Sequence, residues 1–179
     1  MAESGGVAER AELSEDNRLH LPTGTDVWYS FQLYVPTDFP VVDRRLVLGQ
    51  WKQACGDCAA GSQPGHRQPL PEQGSSRSPS RRPTKRVVLF EEKADIRGRW
   101  NQLVYHLKLT PTPDGFLQAW LNGRQVVDHK GPLGYPDDLD SVYFKIGLYR
   151  DTLPFPMTIM LGRFRRGAAR AEVDPSVTP

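Results

Sequence analysis

Alternate positions near the C-terminal end hold the most pointed chemistry in the chain. Drawn as an extended segment, Ser141 to Tyr149 puts Val142, Phe144, Ile146 and Leu148 on one face and Tyr143, Lys145, Gly147 and Tyr149 on the other, because successive strand side chains point to opposite sides. The first face belongs in a core. The second carries two phenols, an ammonium and a glycine that clears space, which reads as the floor of a polar groove. Other segments add to it. Gln50 and Lys52 share a face, with Trp51 opposite; Gln102, Val104, His106 and Lys108 share another; Phe116, Gln118 and Trp120 a third. If these strands belong to one curved sheet, its open face gathers Gln, His, Lys, Tyr and Trp. Such a surface suits sugar: flat aromatics stack on pyranose rings, amides reach hydroxyls, and cations meet carboxylates or sulfates. Taken singly, His106 would be an ordinary satisfied histidine, and Lys145 and Tyr149 ordinary exposed residues.

The elements that would position these groups follow from the same periodicity. Apolar and polar residues alternate in run after run with turn residues between, the mark of antiparallel sheet. Strands are expected near Arg10 to Ser14, Asp26 to Val35, Arg44 to Lys52, Arg86 to Lys93, Trp100 to Thr110, Gly115 to Leu121, Arg124 to His129, Ser141 to Tyr149 and Met157 to Arg165. That many strands imply two stacked sheets. Asn122-Gly123 accepts the positive φ angles of a two-residue hairpin turn, and Pro113-Asp114-Gly115 marks a second turn, so the strands around them form a meander. Glycine and proline number 16 each, which suits strands joined by turns better than helices.

The 179 residues, 38% hydrophobic, are enough for one domain, placed at 9–166. No apolar run approaches the roughly 18 residues of a spanning helix, and the first residues lack the basic-then-apolar layout of a secretory signal. From 54 to 83 the composition turns to Gly, Ser, Pro, Gln and Arg, so a flexible insert is expected there and a disordered tail over 167–179. Residues 53–86 hold six Lys or Arg against two acids, a balance of +4, while the whole chain is +2, leaving −2 elsewhere. The mild basicity therefore belongs to the insert, and no nucleic-acid partner is expected. Cys55 and Cys58 form one CGDC, read as a local disulfide or two loop thiols because a zinc site needs a second ligand pair. No metal site and no cofactor are expected, and Asp137, Asp138 and Asp140 read as a solvated turn.

Six runs together resemble a known family: ERAEL at Glu9, WYSFQLYVPTDFP at Trp28, LGQWKQ at Leu48, GRWNQLVYHLKL at Gly98, GFLQAWLNGRQV at Gly115 and YFKIGLYR at Tyr143. They resemble the heparin-lyase-I-like polysaccharide lyases, related in fold to alginate and glucuronan lyases. The resemblance implies an all-β fold, an antiparallel two-sheet sandwich of the concanavalin-like β-jelly-roll kind, here lacking strands that precede ERAEL in relatives. It also implies a concave sheet that binds a uronic-acid polymer and cleaves it by β-elimination, in an extracellular or periplasmic monomer.

Carried across on matching positions, the resemblance makes Tyr149 the acid and a candidate base, with Lys145 lowering its pKa and contacting substrate anions. Gln50 matches the amide aimed at the substrate carboxylate, Arg10 matches an arginine that grips acid groups, and Glu12 would hold Arg10. Tyr143, Gln102, Trp120 and Lys52 complete the expected substrate-binding set. Lys52 stands where relatives often carry a histidine. Either Tyr149 serves as both base and acid, or His106 substitutes, or activity is lost. The competing reading is a non-catalytic, lectin-like jelly roll using the same groove; a laminin-G-like adhesion domain would call for a calcium site.

Overall fold

The computed structural model describes residues 8–54, 87–134 and 141–176, and the backbone of 65–67. Most of the low-complexity insert, both cysteines and Asp137, Asp138 and Asp140 lie outside the described residues.

Two antiparallel sheets form the fold. The first contains β1 (Ala8–Ser14), β2 (Leu21–Pro22), β4 (Leu46–Ala54), β5 (Gly65–Arg67) and β9 (Ser141–Asp151). Its strand order is β1-β9-β4-β5, with β2 pairing β9 beyond the end of β1. The second runs β10-β3-β6-β7-β8, built from β3 (Asp26–Tyr34), β6 (Trp100–Lys108), β7 (Phe116–Leu121), β8 (Arg124–Lys130) and β10 (Met160–Gly167). These are the two stacked sheets that the alternation predicts, in the jelly-roll-type sandwich that the resemblance implies, and they form no closed barrel. The hairpin turn also falls where expected: Asn122 and Gly123 have φ of 51° and 82° between β7 and β8.

The core lies between the sheets. Tyr29 and Phe31 from β3, Tyr105 and Leu107 from β6, Trp51 from β4, and Val142, Phe144 and Ile146 from β9 are all buried in one cluster. Its aromatic centre is dense, with Trp51 4.7 Å from Phe144 and 5.0 Å from Tyr105 between ring centroids, a geometry that adds to plain area burial. Glu15 ties the sheets together at one edge. Its carboxylate accepts hydrogen bonds from the Phe144 amide at 2.8 Å, the Arg166 guanidinium at 2.8 Å and the Tyr29 hydroxyl. Burial, then the Glu15 charge, pushes the Tyr29 phenol well above its ordinary pKa, with Arg166 opposing.

Three expectations are corrected. Val87–Lys93 forms no strand: Leu89 and Phe90 both pack against the core, whereas adjacent strand residues point to opposite faces. The expected disordered tail is ordered as far as Ser176. There a short helix, α1 (Arg170–Val173), places Val173 at 0% exposure beside Val104 and Trp120, and Ser30 Oγ donates to the Val173 carbonyl at 2.6 Å. Finally, Gly65–Arg67, inside the expected insert, pairs with β4 as an edge strand.

Candidate active site

β1, β9 and β4 lie side by side in the first sheet, and their register sets the site. Arg10 pairs with Tyr149, Glu12 with Gly147, Gln50 with Lys145 and Lys52 with Tyr143. Because Val142, Phe144 and Ile146 face the core, Tyr143, Lys145 and Tyr149 face outward, and their pairing partners face outward with them. The sheet thus brings together Arg10, Glu12, Gln50, Lys52, Tyr143, Lys145 and Tyr149.

Tyr149 is partly exposed and held between two cations. The Arg10 and Arg45 guanidinium carbons stand 4.6 and 4.7 Å from its ring centroid, an attraction to the negative π-face that fixes the ring. Arg45 is held in turn by Asp151 at 2.6 Å. Lys145 leans the other way, with Nζ 5.7 Å from the Tyr143 ring centroid. The cations stacked on the Tyr149 ring are therefore arginines, additional to the Lys145 that the resemblance places beside it. Gln50, only 4% exposed, donates from Nε2 to Glu12 Oε1 at 2.6 Å. Glu12 thus anchors Gln50, where the resemblance implied Arg10, and among the described residues the second Nε2 hydrogen has no other partner. Lys52 is half-buried, and burial first, then Lys145 and Arg10, lowers its pKa below the ordinary lysine value, against the pull of Glu12.

Tyr143 is 8% exposed. Burial, then Glu12, raises its pKa, with Arg10 opposing, so this phenol keeps its proton and serves as floor. His20 stacks flat on it, with 4.3 Å between ring centroids and 5° between planes. Gly147 clears space for backbone rather than for substrate: at φ 139° it lets β1 approach so closely that a Cβ would collide with the Ala11 carbonyl oxygen.

Gln102, His106 and Trp120 are not brought to this face. They sit on the outer face of the second sheet, with the core between them and Tyr149. His106 stacks on Trp28 at 4.0 Å, and its ring nitrogens lie 2.6 Å from Asp26 Oδ1 and 3.0 Å from Gln118 Oε1. Trp120 is buried at 8% exposure beside Val173, with Arg170 over its ring. Gln102 Nε2 donates to the Phe31 and Leu103 carbonyls. Alternation assigns a face within a strand but not the sheet that a strand joins, so the idea of one open face fails here.

Sequence reading missed Arg45 and His20. Strict alternation puts Arg45 on the Trp51 side of its strand, but the β4–β9 register slips by one residue between Val47 and Gly49, which turns Arg45 and Gln50 to the same face. Nothing in the sequence marks that slip. His20 lies in the connection after the 3-10 turn Asn17–Leu19, where no periodicity places a side chain.

Four cations, Arg10, Arg45, Lys52 and Lys145, therefore surround a phenol and a buried amide, an arrangement that attracts a polyanion. The polysaccharide lyase family matches residues 3–165. The chain belongs to that family. An endo-β-1,4-glucuronan lyase from the fungus Trichoderma reesei shares the fold of this lyase-family chain with a TM-score of 0.67 at 17% identity, over 97% of this chain and 80% of that one. An alginate lyase from Pseudomonas aeruginosa gives a TM-score of 0.50 at 17% identity, over 88% and 73%. No curated protein matches this lyase-family chain in sequence. At such identities the structural likenesses establish the fold, and the family match establishes the membership.

Proposed function

We propose that this protein cleaves a uronic-acid-containing anionic polysaccharide by β-elimination, outside the cytoplasm, with Tyr149 at the reacting centre. The observation that carries the reading is the Tyr149 phenol bracketed by Arg10 and Arg45 on the face that also holds Gln50, Lys52 and Lys145. The proton beside a uronate carboxylate leaves only if the charge growing on that carboxyl group is neutralised. Gln50, oriented by Glu12, offers its remaining amide hydrogen, and Lys145 and Lys52 offer positive charge.

In this step the Tyr149 oxygen, entering as the phenolate, takes the proton from the carbon next to the carboxylate and becomes the phenol. The electron pair forms a double bond to the neighbouring ring carbon, the bond from that carbon to the glycosidic oxygen breaks, and Tyr149 returns the proton to the departing oxygen. One group suits both steps when both protons lie on the same side of the ring. With His106 in the other sheet, Tyr149, Lys52 and the His20 imidazole stacked on Tyr143 are the groups of this face, among the described residues, that remain for the base.

The test is purified protein incubated separately with glucuronan, alginate and heparin, following near-ultraviolet absorbance of the unsaturated product. A rise with one polymer names the substrate; heparin would also bear out the finer resemblance in the motifs. No rise with any of them from folded protein contradicts the reading. A non-catalytic, lectin-like role is favoured by one observation, the near-complete burial of Gln50, and would show as polymer binding without product.

A further inference from the structure

The outer face of the second sheet carries an aromatic residue that neither the core nor the site explains. Trp100, at the start of β6, is 48% exposed. It pairs with Tyr34 on β3, which pairs with Met160 on β10, while Gln32 lies opposite both Gln102 and Gly162. Gly162 is thus two strands from Trp100, roughly 10 Å at ordinary sheet spacing. Yet a Cβ at Gly162 would lie 3.6 and 3.7 Å from Trp100 Cζ3 and Cη2. Such a reach carries the far edge of the indole's six-membered ring across β3 to Gly162, while about half of the residue stays open to solvent. The Tyr34 ring stands beside it at 5.6 Å between centroids, and the Gln32 and Gln102 amides fill the adjoining row.

The surroundings of this platform are positive. Arg165 pairs with Ser30 and so shares its face. Arg163 and Arg165 are both exposed, and neither makes an ion pair or hydrogen bond among the described residues. Glu172, past Gly167, is committed to the Ala168 amide at 2.9 Å. A half-exposed ring with the Gln32 amide in the next row and the exposed Arg165 guanidinium farther along the same face matches a stretch of sugar chain that bears carboxylates or sulfates.

We propose that Trp100, Tyr34, Gln32 and Arg165 form a second polysaccharide-binding site, remote from Tyr149, that holds another stretch of the same anionic polymer. The identity of the occupant rests on the proposed function; the site rests on its own geometry. Two sites on one chain of sugar raise the effective concentration of polymer at the first sheet, so the benefit requires a substrate long enough to reach both.

The experiment compares full-length wild type with Trp100→Ala, Trp100→Phe and Arg165→Ala, using polymeric glucuronan and alginate and tetrasaccharides cut from each. Retardation in polymer-containing native gels and initial rates are read together, with circular dichroism confirming the fold. Trp100→Ala is expected to weaken polymer binding and raise polymer KM about 3- to 10-fold, the effect of one lost aromatic contact. Its kcat and its tetrasaccharide kinetics stay at wild-type values. Trp100→Phe retains part of the binding, and Arg165→Ala reduces its salt dependence. Unchanged polymer binding in folded Trp100→Ala overturns the second site, as does an equal loss on tetrasaccharide. If wild type cleaves polymer while Trp100→Ala matches it, only the second site falls; if wild type neither binds nor cleaves these polymers, both readings fall.

Discussion

Lys52 shows how a single position can oppose stability while standing where the proposed chemistry needs a charge. Its ammonium is half-buried beside Lys145 and Arg10, and burial is the main cause of its lowered pKa. A lysine whose folded pKa is depressed binds its proton less well folded than unfolded. Its charge therefore costs stability at neutral pH, and that cost is relieved as pH rises from the lowered pKa toward the ordinary lysine value. Lys52→Met is expected to raise Tm by about 1–3 °C and to cut turnover at least tenfold, with calorimetry and product absorbance as readouts. Loss of the proton also removes a neutralising charge, so wild-type kcat/KM should fall on the alkaline side below the usual lysine range. Lys52→Arg, charged throughout, should move that limb upward, and an unmoved limb would remove Lys52 from the site. The sequence showed Lys52 and Gln50 on one face, but it could not show the desolvation, which depends on residues distant in the chain. The same holds for Arg45, turned toward Tyr149 by a register slip that no residue type announces.

At the scale of the element, β9 organises the site by pairing β1 on one side and β4 on the other. Gly147 makes the β1 side possible: it adopts φ 139° and leaves no room for a Cβ against the Ala11 carbonyl. Gly147→Ala is expected to cost about 2–3 kcal/mol, read from urea unfolding, and to lower activity by displacing Arg10 and Glu12 together. A neutral result would mean that β1 is not docked as described. Strands were the most legible feature of the sequence where alternation was clean, as in β6 and β9, and where Asn122-Gly123 fixed a turn. Legibility failed where apolar residues ran consecutively. Val87 to Phe90 has the composition of a strand, yet Val87 and Val88 are exposed while Leu89 and Phe90 both reach the core. It failed again at the tail, where one apolar residue, Val173, is enough to seat α1 over Val104 and Trp120.

The whole molecule keeps its two faces apart by a core of interlocked rings, and Glu15 secures that arrangement at the edge by joining the Phe144 amide to Arg166 and Tyr29. Its side chain is 6% exposed and that of Arg166 is 23% exposed, so Glu15→Ala strands a largely buried cation and should cost about 3 kcal/mol or more. Equilibrium unfolding reads this directly, and a loss under 1 kcal/mol would show that the sheets do not depend on the tie. Sheet membership was the part of the fold the sequence could not disclose: His106, Gln102 and Trp120 have the right residue types for a sugar site, but their strands join the other sheet. What remains on the first sheet centres on one phenol. The most direct test is therefore Tyr149→Phe, which removes the hydroxyl and leaves the ring between Arg10 and Arg45, assayed on whichever uronate polymer the wild type cleaves. Native-like unfolding with product formation reduced at least a thousandfold is the predicted result. Near-wild-type formation of unsaturated product by the folded variant would contradict it.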